Sequence, residues 1–170
     1  VPFVQRALPE AAIVPIVMGR QTRDTIRRLA SALAAACVGK NVLVVASTDL
    51  SHFLPKARAQ AADAETAALI QGLKTDVLIR KAEAGENNMC GGGPVAAVMI
   101  AARRLGGSEM KFLEYGTSAA VTGDFDEVVG YLSAVMVQQG THRVGPRPKA
   151  EIGAPAAKRR KVEACTTIWL

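Results

Sequence analysis

The stretch NVLVVA, residues 41–46, is apolar at every position after Asn41. A run of this length without alternation is typical of a central strand that helices cover on both faces. It constrains the rest of the chain, which must then supply the covering layers. Asp24–Cys37 reads as one of them. Ile26, Leu29, Leu33 and Ala36–Cys37 recur at helical spacing, Arg23, Arg27 and Arg28 take the other side, and Gly39 is a stop signal. Upstream, Ala12–Met18 (AIVPIVM) reads as a short strand, placed at an edge or a bulge by Pro15. Downstream, Ala57–Leu73 and Asp76–Ala84 read as helices, the second with Thr75 as its N-cap. Pro94–Leu105 is a small-residue helix with proline in its first turn. Lys111–Tyr115 and Glu127–Val137 read as strands. The order β-α-β-α-α-α-β-β predicts an α/β fold: a mixed β-sheet flanked by helices.

The 170 residues suffice for one domain with its own core. No apolar run approaches the roughly 18 residues of a membrane-spanning helix, and VPFVQRALPE does not read as a secretory signal. The net charge of +6 is unevenly placed. From Thr141 onward there are seven Lys/Arg and two Asp/Glu, a net of +5, which leaves 14 basic and 13 acidic residues in the body. A near-neutral body gives no reason to expect nucleic-acid binding there. Cys37, Cys90 and Cys165 are odd in number and far apart, which suits a reducing cytoplasm better than a disulfide framework. Residues 1–137 are therefore expected to form the domain, and residues 138–170, rich in Pro, Gly, Ala and basic residues, a flexible basic tail. Within that tail the basic segment 155–163 has the composition of a nuclear-import signal, or of a merely solvated end.

Chemistry concentrates in two places. Directly after NVLVVA come Ser47, Thr48, Asp49, Ser51 and His52. Ligands in open α/β sheets gather at the carboxyl ends of strands. Asp49 and His52 are three residues apart, so both can face one pocket, where a carboxylate orients an imidazole and raises its basicity. The same residues also serve a plain helix cap. The second place is CGGGP, residues 90–94. Backbone N–H groups of Gly91, Gly92 and Gly93, ahead of a helix, can form an anion-binding loop. Cys90 beside a helix N-terminus is biased towards thiolate, a nucleophile or a soft metal ligand. A tight glycine turn with a small buried cysteine accounts for the same residues. Cys90, His52 and Asp49 are also the residue types of a cysteine hydrolase, although no protease-like signature surrounds them. Ser47 or Ser51 as a nucleophile has no G-x-S-x-G elbow. Cys90 and His52 alone are too few for a firm metal site. Thr117, Ser118 and Asp124 either line the same cleft or form a solvated turn.

Taken together, VPFVQRALPEAAIVPIVMG, VLVVASTDLSHF, MCGGGPVAAVMIAAR, FLEYGTSAAVTGD and VVGYLSAVM, in this order, resemble the Memo family over residues 1–137. Its prokaryotic members are called AmmeMemoRadiSam system protein B. The resemblance implies a fold like that of LigB-type class III extradiol dioxygenases, of which this sequence would lack the N-terminal half. It implies that Asp49 and His52, from D-L-x-H, and Cys90, from C-G-x-G-P, face a cleft able to bind iron or copper, His52 and Cys90 as metal ligands. Two further histidine ligands are implied in the missing half. A redox role follows from the resemblance; so does, alternatively, a non-catalytic adaptor that binds phosphopeptide or other anionic ligands. A radical-SAM or AMMECR1-like partner is implied as well.

Overall fold

A computed structural model describes residues 2–139 and, for the backbone, residues 166–169. The basic segment 155–163 lies outside the described residues, as does most of the expected tail. Six helices and three strands make up the described part: α1 (Pro2–Ala7), α2 (Arg23–Cys37), α3 (Lys56–Gln71), α4 (Thr75–Ala84), α5 (Gly92–Arg104), β1 (Glu109–Thr117), α6 (Ala119–Thr122), β2 (Gly130–Val137) and β3 (Thr166–Trp169). The fold is a mixture of α and β, as expected. The sheet is not mixed: it runs β1-β2-β3, with both pairings antiparallel.

Helix α2 follows its apolar spacing, with Ile26, Ala30 and Ala34 buried on one side. Thr22 caps α2 by accepting the Thr25 N–H. Helix α3 ends at Gly72, after which Leu73 turns left-handed. Helix α4 begins at Thr75, so Thr75 is its first residue and not its cap; the cap position is Lys74, with no side-chain hydrogen bond. Helix α5 starts two residues before Pro94, within the glycines. It is buried nearly all round, as an almost uncharged helix must be. Val95, Ala96 and Met99 are fully enclosed in one cluster with Ile26 of α2, Leu78 of α4 and Leu132 of β2.

On β2, Gly130, Leu132, Ala134 and Met136 point into the core, with Tyr131, Ser133 and Val135 on the other face. A bulge between Phe112 and Glu114 of β1 shifts the register by one residue. Upstream, Met110 and Phe112 share the core face; beyond the bulge Tyr115 takes that face, opposite Leu132. The bulge therefore decides where the Tyr115 hydroxyl points.

Two expected strands are absent from the sheet. Ala12–Met18 and Asn41–Ala46 have no ladder partner among the described residues. Val14 and Val17 are 81 % and 94 % exposed, and Val42 and Leu43 are also exposed. An apolar run states what a backbone prefers, whereas a strand also needs a second backbone to pair with. Among the described residues no helix is long and apolar enough to cross a membrane.

Candidate metal centre

The segment after Ala46 does not leave the end of a sheet strand. It runs antiparallel beside the approach to β2. Leu50 N–H donates to the Gly130 carbonyl, Gly130 N–H to that of Ser51, Val128 N–H to that of Leu54 and Lys56 N–H to that of Phe125. Phe53 adopts φ 54°, a left-handed conformation that a bulky side chain rarely takes, and it turns the chain directly after His52. The ring of Phe53 is itself exposed, 6.0 Å from the His52 imidazole.

Three side chains converge here. One ligand atom each of Asp49, His52 and Cys90 lies within 4.8 Å of the others. Asp49 and His52 are partly buried and Cys90 is exposed. His52 Nε2 and Asp49 Oδ2 are 3.5 Å apart, too far for a strong hydrogen bond. Two donors bound to one tetrahedral ion at about 2.1 Å stand ~3.4 Å from each other. The pair is thus spaced as two ligands of one ion, and Cys90 needs about an ångström of side-chain movement to join them.

Cys90 is held from both sides. Gln21 donates through Nε2 to the Cys90 carbonyl (2.8 Å) and accepts the Gly93 N–H through Oε1 (2.7 Å). Thr48 Oγ1 accepts the Gly91 N–H at 2.6 Å and lies 3.1 Å from Cys90 Sγ. The glycines allow these approaches. A Cβ on Gly91 would stand 2.7 Å from Thr48 Cβ, one on Gly93 would stand 2.8 Å from Gln21 Oε1, and one on Gly92 would overlap the Asn87 amide. The Gly91 and Gly93 N–H groups therefore already have protein acceptors.

Thr48 and Gln21 are not singled out by the sequence. Thr48 sits among several hydroxyl residues, and Gln21 in GRQTRD carries no spacing signal at all. The loop residues Ser118 and Asp124 serve turns: Ser118 Oγ accepts the Val129 N–H, and Asp124 Oδ1 the N–H groups of Asp126 and Glu127. Thr117 ends β1, buried opposite Gly130. Ser51 is buried, its Oγ lacking a hydrogen-bond partner, and is no nucleophile presented to a cleft.

Residues 1–135 match the family described as Memo-like protein. A MEMO1 family protein of Methanopyrus kandleri is 35% identical over 142 residues, which cover 82% of this chain and 50% of that protein. Another, of Methanothermobacter thermautotrophicus, is 38% identical over 133 residues, 77% of this chain and 48% of its own length. A third, of Pyrobaculum aerophilum, is 36% identical over 135 residues, 78% and 48% respectively. The chain spans about half the length of the curated relatives it matches. The matched region contains Asp49, His52 and Cys90, and the chain belongs to the Memo family.

Proposed function

We propose that Asp49, His52 and Cys90 bind a redox-active transition metal, iron or copper, in a dioxygenase-like cleft. The observation that carries the reading is the convergence of a carboxylate, an imidazole and a thiol within 4.8 Å. Imidazole suits both metals, thiolate favours copper, and carboxylate suits iron. Three protein ligands leave a further position open, as in sites that bind a substrate or another ligand. When bound, the metal would supply Lewis-acid or one-electron chemistry. The protein's own part is to place the ligands. The Gln21 amide holds the Cys90 backbone, Thr48 faces its sulfur, and Asp49 stands beside the imidazole.

An adaptor role through the glycine loop has less support. Gly91 and Gly93 spend their N–H groups on Thr48 and Gln21, so two donors that an anion would need are engaged. The test is elemental analysis of purified chain incubated with iron or copper and desalted. Wild type should retain metal in stoichiometric amount, and His52→Ala and Cys90→Ser should retain much less. Equal metal in all three proteins sinks the reading.

A further inference from the structure

Asp63 is 1 % exposed, in the middle of α3, and is not one of the three converging side chains. Helix α3 carries it on the face of Ala59, Thr66 and Ile70, which are all buried. A lone buried carboxylate is costly unless its oxygens are satisfied. Both of these are. Oδ1 accepts the Ser51 N–H at 2.9 Å, and Oδ2 accepts the Tyr115 hydroxyl at 2.8 Å. The carboxylate lies against the Cα of Gly130, where any Cβ would overlap Oδ2.

The Ser51 amide lies between the two acid–base side chains of the centre. The peptide N–H after Asp49 goes to the Gly130 carbonyl, the next N–H goes to Asp63, and the carbonyl before His52 accepts the Gly130 N–H. Every peptide unit between Asp49 and His52 is therefore tied down; the Leu50–Ser51 unit is held by the Asp63 side chain, and the Asp49 carbonyl also accepts the Thr48 hydroxyl at 3.0 Å. We propose that Asp63 is a positioning residue for the Asp49–His52–Cys90 centre. Its carboxylate fixes the backbone that sets Asp49 and His52 3.5 Å apart, while Tyr115, brought to the core face by the β1 bulge, fixes the carboxylate. Gly130 is glycine because this carboxylate needs the space.

The proposal rests on the metal reading above, and the test separates the two. Co²⁺ alone is the probe, titrated into the full chain and read by the thiolate-to-cobalt charge-transfer absorption; Ser51 amide hydrogen exchange is followed in parallel without metal. Wild type is expected to show the band, and Asp63→Ala to bind cobalt at least tenfold more weakly and to lose Ser51 protection. Asp63→Asn should restore both to within about threefold, because its oxygen still accepts the Ser51 N–H and its amide donates to Tyr115. Should Asp63→Ala not fold, Gly130→Ala displaces the carboxylate without deleting it, and is expected to weaken cobalt binding by at least fivefold. Folded Asp63→Ala or Gly130→Ala that binds cobalt like wild type overturns the positioning role, as does Asp63→Asn that fails as badly as alanine. Absence of the band in wild type overturns the metal reading itself, and the positioning role with it.

Discussion

Thr48 Oγ1 stands 3.1 Å from Cys90 Sγ while it accepts the Gly91 N–H, and its proton has two places to go. With a thiol at Cys90, the sulfur donates to Thr48 and the hydroxyl turns to the Asp49 carbonyl, 3.0 Å away. With a thiolate, the hydroxyl donates to sulfur instead. One hydroxyl thus has a hydrogen-bond partner in either form. Thr48→Val removes the donor and leaves the buried Gly91 N–H without an acceptor, a cost of about 1–3 kcal/mol. Urea unfolding should show that loss. Alkylation of Cys90 at neutral pH, followed by peptide mass spectrometry to separate it from Cys37 and Cys165, should differ severalfold from wild type, because the sulfur loses its hydroxyl neighbour. Thr48→Ser should match wild type in both respects. Equal alkylation rates in the valine and serine variants would remove Thr48 from the site.

The glycine loop predicts a graded series. Gly91→Ala pushes a methyl group against Thr48 Cβ, and Gly92→Ala pushes one into the Asn87 side chain. The first collision moves the residue that faces the sulfur. The second meets the end of a side chain that can swing away. Gly91→Ala should therefore cost about 1–3 kcal/mol, as overpacking does, and reduce bound metal in proportion. Gly92→Ala should be the milder change. Denaturant midpoints and metal content for the two variants check this, and the reverse order would count against the packing described.

How far the sequence carries this site depends on what kind of signal each residue leaves. Asp49, His52 and Cys90 are chemically conspicuous, and they do converge. Helices α2 and α4 are legible because apolar spacing reports which face of a chain is buried. Asn41–Ala46 is misread for the opposite reason: its apolarity is real, but ladder pairing depends on a distant backbone that no local pattern encodes. Asp63 left little signal: positions 59, 63, 66 and 70 form one helical face, but alanines on every side of α3 keep apolar spacing from marking that face as the buried one. Gln21 had none, because what matters is where its amide ends up relative to a loop some seventy residues away.

Metal binding should be strongly pH-dependent in one direction. A thiol and an imidazole must both give up protons to ligate. Copper affinity of the wild-type chain, measured by competition with a chelator of known protonation behaviour, should fall at least ~tenfold between pH 7.5 and 5.5. In Cys90→Ser the dependence should be shallower, because one displaced proton is gone. Parallel curves for the two proteins would mean that Cys90 is not a ligand.

Tyr115 gives the fold a second pH signature, at the alkaline end. Burial, then the hydrogen bond to Asp63 and then its negative charge, hold the Tyr115 hydroxyl well above the ordinary tyrosine range. The folded protein therefore keeps this proton after the unfolded chain has released it, which for an unperturbed tyrosine happens near pH ~10. The stabilisation is complete below that pH and is lost as the pH rises towards the folded-state value. Tyr115→Phe has no such proton. The difference in urea midpoint between wild type and Tyr115→Phe should stay constant from neutral pH up to about 9 and shrink above about 10. Because Tyr131 and every lysine are common to both proteins, their titration cancels in the difference. A difference that stays flat through the alkaline range would show that Tyr115 does not lend its proton to Asp63.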